Sequence, residues 1–230
     1  MDTPLQAALD QIMSSRYSCR AFLDTPVPRA EVEAILAAAS RAPSGTNTQP
    51  WRVHVLTGAR LKRLSERILA VVRDPEAAAA HQEPYAYYPT TWVSPYLERR
   101  RKVGFDLYAL LGIPKGDTAR MQAQFERNYG FFGAPVGLIF TLDGVMAQGS
   151  YLDYGMFLQN VMLAAKARGL DTCPQAAFIR WHRVIAEELD LPAGHGVVCG
   201  MSLGHADPAA PENRLRTERA PLADWVTFLE

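Results

Sequence analysis

The sequence predicts an α+β fold, on three observations. Segments with helical apolar spacing are interleaved with short apolar or alternating runs that read as strands. The early helices outnumber the early strands, which argues against a wholly parallel sheet. With 48% hydrophobic and 21% charged residues in 230, the chain can bury the core of one domain of ordinary size.

Residues 4–14 (PLQAALDQIMS) read as an amphipathic helix, with Leu5, Leu9 and Ile12 near helical spacing. The SRYSCRAF stretch that follows is too polar and short for core. From Pro28, PRAEVEAILAAASRA is a second helix: Pro28 suits a first turn, Glu31 and Glu33 favour the positive end, and Val32, Ile35, Leu36 and Ala39 form the buried stripe. The breaker run APSGTNTQP ends it. WRVHVLTG alternates and stops at Gly58, a strand, and 59–73 is helical. Residues 84–117, punctuated by proline and glycine and rich in aromatics (Tyr85, Tyr87, Tyr88, Trp92, Tyr96), form an irregular excursion with a short helix near 97–111. PVGLIFTL (135–142) is a buried strand. Residues 150–168 are the longest helix, and a central one, because Met156, Phe157, Val161, Met162 and Ala165 make it apolar nearly all round. Helix 181–190, strand 196–203 and a polar, proline-rich tail from Asp207 complete a single domain, 1–230. The excursion at about 75–128 reads as a lid or interface, or equally as a satellite cluster under a loop.

Lys plus Arg equals Asp plus Glu at 24 each. A net charge of zero excludes the large positive field that general nucleic-acid or membrane-surface binding needs. Cys19, Cys173 and Cys199 form no CxxC pair, and no His/Cys group has zinc-site spacing, so no metal is expected. Reduced thiols, no basic start followed by an apolar run, and no stretch near the ~20 apolar residues of a membrane span predict a cytoplasmic protein. No two of the five histidines pair at ligand spacing on a helix, and His54, mid-strand, reads as a packed or surface residue.

Two segments carry chemistry. In Arg16-Tyr17-Ser18-Cys19-Arg20, two guanidinium forks and a hydroxyl make a compact anion site, although R-x-S-x-R also fits a solvated turn. The loop Ala42-Pro43-Ser44-Gly45-Thr46-Asn47-Thr48-Gln49-Pro50-Trp51 offers amides and hydroxyls suited to the polar edge of a heterocycle, or to capping its own helix. Together, and in this order, SRYSCRAF and APSGTNTQPW resemble the opening of the nitroreductase family of flavoproteins. The resemblance continues through RNYGFFGAPVGLIF, YLDYGMFLQNVMLAAKARGLDTCPQAAF and VVCGMSLGHADPAAPENRLRTERAPL, over nearly the whole chain.

The resemblance implies a mixed α/β sandwich, a central sheet flanked by helices, in an interlocked homodimer with FMN sites built from both subunits. It assigns Arg16, Tyr17 and Ser18 to the FMN phosphate and ribityl chain, Arg20 to the pyrimidine end of the flavin, and Arg219 to the phosphate. Pro43, Ser44, Asn47 and Gln49 match the loop lent by the partner, and Arg127 or Asn128 falls where a side chain reaches the ribityl or pyrimidine region. The family's Pro-x-Glu-Gly is here Pro174-Gln175-Ala176-Ala177. A glutamate role does not transfer, but a backbone N–H of Ala176 or Ala177 still serves flavin N5. A lysine sometimes found two places before the late arginine is Thr217, which leaves Arg216 to share phosphate duty.

The implied activity is transfer of electrons from NADH or NADPH through FMN to a small aromatic acceptor, nitroaromatic or quinone-like, with ping-pong kinetics. The cofactor carries the chemistry, so no protein acid, base or nucleophile is required, and Arg20 gives electrostatic support. The absence of GxGxxG fits a donor that visits the open flavin face. Alternatives are a reductive dehalogenase or other specialised flavin reaction on the same fold, a non-catalytic FMN-binding protein, and a cofactor-free structural dimer. The last leaves the polar 16–20 and 42–50 loops unexplained. The basic run Arg99-Arg100-Arg101-Lys102 reads either as a lure for an anionic substrate or the donor's phosphate, or as a solvated helix face paired with Glu98.

Overall fold

A computed structural model describes residues 3–229. Its sheet has four strands, β1 (Trp51–Thr57), β2 (Val136–Leu142), β3 (Asp171–Gln175) and β4 (Gly196–Gly204), in the order β1-β2-β4-β3. All three pairings are antiparallel. Every residue of β2 is buried, because this central strand is covered on both faces. Val136, Leu138, Phe140 and Leu142 face one core with α2 (Arg29–Ala39) and α7 (Ser150–Lys166). Ile139 faces a second core with α3 (Gly58–Val72) and α8 (His182–Glu188). The result is a helix–sheet–helix sandwich, as expected from the α+β reading.

α7 is the longest helix, with Tyr154, Phe157, Val161 and Ala165 buried. The Tyr154 hydroxyl joins three elements: it accepts from the Arg52 N–H (2.9 Å), and its single proton faces the carbonyls of Thr141 (2.7 Å) and Arg52 (2.9 Å). At the opposite face the side chain of Glu188 is fully buried and pairs with Arg60, Arg63 and Arg67 at 3.7, 3.0 and 3.1 Å, which fastens α8 to α3.

Several expectations need correction. Three of residues 19–22 are core: Cys19, Ala21 and Phe22 are buried and Arg20 partly so, because the chain bridges to Thr172 of β3 and to Ala206 just past β4 instead of running through solvent. Pro28 precedes the helix as its cap, and Leu36 is only partly buried. β3 was not anticipated. It is the last strand of the four-stranded sheet, where Pro174 is tolerated because the side away from β4 carries only an isolated bridge, at Thr172. The excursion is more helical than expected, with α4 (Pro75–Ala79), α5 (Tyr96–Leu110) and α6 (Thr118–Glu126). Asp74 and Asp117 cap α4 and α6 through their carboxylates. The tail is not uniformly solvated: Glu212 and Asn213, in a short turn at Pro211–Arg214, are buried. α1 (Pro4–Ser15) forms as expected, yet none of its residues is buried, and Leu5, Leu9 and Met13 are 80%, 47% and 50% exposed.

Candidate functional site

The site begins where the chain leaves α1. Ser18 bridges in parallel to Thr172 of β3, and the Cys19 N–H donates to the Thr172 carbonyl at 3.0 Å, so residues 16–20 lie along the edge of the sheet. Asn213 then fixes the next residues. Its Oδ1 accepts from the Arg20 N–H (2.8 Å) and the Cys19 thiol (3.4 Å), and its Nδ2 donates to the carbonyls of Ala21 (2.7 Å) and Asp207 (2.9 Å). Both donors and both acceptor positions of the amide are thereby used.

The Arg20 guanidinium donates to the Ser18 carbonyl at 3.2 Å, and Arg20 lines a cavity of about 620 Å³. Asn128, Cys173, Pro174, Gln175, Ala176 and Ala177 line the same cavity. The excursion adds Tyr88, Leu107, Tyr108, Gln124 and Phe125 to its lining. Gln175 is 3% exposed and its amide is committed to the protein: Nε2 donates to the Asn128 carbonyl, Oε1 accepts from the Ser202 hydroxyl, both at 2.7 Å. Ala176 and Ala177 open a 3-10 turn, Ala176–Trp181, whose first backbone N–H groups have no acceptor within the turn.

Beside this cavity lies a concentration of positive charge. Burial and the neighbouring Arg219 cation pull the Arg16 guanidinium below its ordinary value, opposed by Cys173. Arg219 donates to the Thr217 hydroxyl (2.8 Å) and to the carbonyls of Thr217 and Glu218. Arg216 lies 4.0 Å from the centre of the Tyr17 ring, with Lys166 at 5.5 Å. Among the described residues, Arg16, Arg216 and Arg219 have no carboxylate partner. Lys166 pairs with Asp171 at 2.8 Å, and the three arginines left without a carboxylate suit an anion with several oxygens.

A family model described as the nitroreductase family matches residues 13–205. The chain belongs to the nitroreductase family. A 4-nitrobenzoate reductase of Pseudomonas putida is 43% identical over 220 residues, 96% of this chain and 95% of that protein. A nitrobenzene nitroreductase of Ectopseudomonas oleovorans is 42% identical over 227 residues, 98% of this chain and 99% of the relative. Among solved structures, the FMN and NADPH-dependent nitroreductase NfnB from Sphigopyxis sp. strain HMH superposes with a TM-score of 0.92 at 38% identity, covering 96% of this chain and 99% of that one.

Within this nitroreductase chain, the expected residues fall into three groups. Arg20, Asn128, Pro174, Gln175, Ala176 and Ala177 meet at the cavity. Arg16, Tyr17, Arg216 and Arg219 form the adjoining cationic cluster, with Ser18 between the two groups. Pro43, Ser44, Asn47 and Gln49 do not line the cavity. Their loop follows α2 and is held by a bond within itself and one to α7: Ser44 Oγ accepts from the Gln49 N–H at 3.0 Å, and the Gly45 N–H donates to Asp153. Thr46, Asn47 and Gln49 have φ of 48°, 59° and 49°, a left-handed backbone uncommon for side-chain-bearing residues. Between the two alternatives at 127–128, Arg127 pairs with Glu212 and does not line the cavity, whereas Asn128 does.

The sequence reading passed over Asn213 and Glu212. Both lie in the PENRLR stretch used for the resemblance, but nothing local marks them as buried. Their partners, Arg20 and Arg127, are far away in the chain.

Proposed function

We propose that this protein is an FMN-dependent oxidoreductase that takes electrons from NAD(P)H and reduces nitroaromatic or quinone-like acceptors, as a homodimer in the cytoplasm. The observation that carries the reading is the adjacency of a guanidinium-lined cavity to an unpaired arginine cluster. This donor set fits FMN: a phosphate for the cluster, and a heterocycle with a polar edge for the cavity. The names of the relatives, reductases of 4-nitrobenzoate and nitrobenzene, support the acceptor class, and the NADPH dependence named for NfnB supports the donor.

When bound, FMN supplies the two-electron chemistry. Arg16 and Arg219 hold the phosphate, with Arg216 kept close by its stack on Tyr17. The Ser18 hydroxyl and Asn128 amide serve the ribityl chain. Arg20 stands at the pyrimidine end, where its permanent charge favours the reduced state. Pro174 and Gln175 shape the edge of the heterocycle, and the Ala176 and Ala177 N–H groups donate to it. Pro43, Ser44, Asn47 and Gln49 serve the site of the second subunit. The excursion acts as a lid whose Tyr88 and Tyr108 stack on flat acceptors. Dimerisation is supported by the apolar residues left exposed on α1 and on the tail, where Leu222, Trp225 and Phe228 are 55%, 68% and 77% exposed. Three free cysteines support a reducing compartment, and among the described residues no helix is long and apolar enough to cross a membrane.

The test is the visible spectrum. The purified protein carries one FMN per chain, bleaches anaerobically with NADPH, and regains colour with a nitroaromatic acid; light scattering gives twice the chain mass. Protein that stays colourless after incubation with FMN refutes the reading.

A further inference from the structure

The basic run on α5 has no part in the site described so far. Leu107 and Tyr108 of α5 line the cavity. Arg100 and Arg101 stand seven residues earlier, within about 20° of the same helix face and roughly 10 Å up the axis. The two arginines therefore occupy the helix stripe that forms the cavity wall, displaced towards the helix N-terminus.

Arg100 is held there by aromatic residues. Its guanidinium carbon lies 4.8 Å from the centre of the Trp92 ring and 6.0 Å from that of Tyr88, which also lines the cavity. Stacking occupies the flat face of a guanidinium and leaves its edge of N–H donors free. Among the described residues, no hydrogen bond or ion pair takes up that edge. The neighbouring Lys102 is different, being paired with Asp106 at 2.8 Å and Glu218 at 3.5 Å. The Glu98 pairing anticipated for the run does not form among the described residues.

We propose that Arg100 binds the 2′-phosphate of NADPH and so selects NADPH over NADH. This rests on the reductase reading above. A dinucleotide with its nicotinamide in the cavity extends its adenosine half out of the mouth, and the 2′-phosphate is the one group that NADH lacks. A pre-stacked guanidinium offers that dianion two parallel N–H donors. The sheet of the described residues is antiparallel throughout and forms no Rossmann unit, so a residue at the rim is a place where the donor can be told apart.

The flavin-loaded protein, titrated calorimetrically with adenosine 2′,5′-bisphosphate and with adenosine 5′-monophosphate, tests this without turnover. The bisphosphate binds about tenfold or more tightly than the monophosphate, and Arg100→Gln abolishes the difference. In kinetics, Arg100→Gln lowers the ratio of kcat/KM for NADPH over NADH by a similar factor, through the KM for NADPH. Arg29→Gln, the same charge change on α2, leaves the ratio unaltered. Equal or absent binding of the two nucleotides, or a retained preference in Arg100→Gln, overturns the proposal. So does a variant whose KM rises for an anionic nitrobenzoate and not for NADPH. If the flavoprotein oxidises neither donor, the reductase reading fails instead, while the nucleotide titration still decides on Arg100.

Discussion

The cavity wall made by Arg20, Cys173 and Gln175 is tied down by buried or partly buried hydrogen bonds to Asn213, Asn128 and Ser202. α5, which lends Leu107 and Tyr108 to the same cavity, has no buried residue in its fifteen. The first wall has the features of a region that opens only with global unfolding, the second those of a region that opens locally at small cost. On the proposed function, the rigid wall meets the cofactor, which stays, and the loose wall meets donor and acceptor, which exchange.

Stability measurements can break this contrast. Gln175→Leu leaves the Ser202 hydroxyl and the Asn128 carbonyl without their partner and lowers unfolding stability by on the order of 2–4 kcal/mol in urea titrations. Arg99→Ala on α5 stays within about 0.5 kcal/mol of the parent. Equal losses would mean that both walls belong to one cooperative unit. On the rigid wall, Arg20→Ala makes the bound flavin harder to reduce by on the order of 30–60 mV, with phosphate affinity largely kept. An unchanged midpoint potential removes Arg20 from its electrostatic role. On the loose wall, replacing 85–96 by a Gly/Ser linker raises the KM for nitroaromatic acceptors about two- to tenfold, and that for NADH much less. Equal rises would make the segment a support of the fold or dimer, and unchanged kinetics would separate it from the site.

The smallest effect concerns the thiols of the rigid side. Burial pushes Cys19 up to about 11 and Cys173 and Cys199 up to about 12. The reactive thiolate is therefore scarce at pH 8. Iodoacetamide should label no cysteine in the native protein and all three after denaturation. Labelling of Cys173 in the native state would show that the rigid wall opens.

The same contrast explains what was legible in the sequence. β2, β4, α2 and α7 carry long apolar patterns and were found within a few residues, because burial there repeats with the period of the element. β3 was missed: DTCPQ is five residues long, contains proline, and owes its strand character to pairing with β4. α4 and α6 are short, and their local signals are slight: an aspartate cap on each, with Pro75 and Glu76 in the first turn of α4. At the site, the family resemblance named Arg16, Arg20 and Pro174–Ala177, of which Arg20 and Pro174–Ala177 line one cavity, with Arg16 near Cys173 of its wall. What stayed hidden was which side chains are already engaged. Arg127 is claimed by Glu212, and the Gln175 amide by Asn128 and Ser202, through pairings that no sequence window contains.

Asn213 has a consequence for the order in which the protein can be made. It grips Arg20 and Ala21 across 193 and 192 positions of chain. A contact of that span is paid for in loop-closure entropy before it returns anything, and it cannot form while residue 213 is still inside the ribosome. All four strands lie before it in the chain, since β4 ends at residue 204. The Arg20 end of the site thus depends on the last part of the chain to be made, and a released chain truncated before residue 213 would keep all four strands but lose the amide that fixes Arg20.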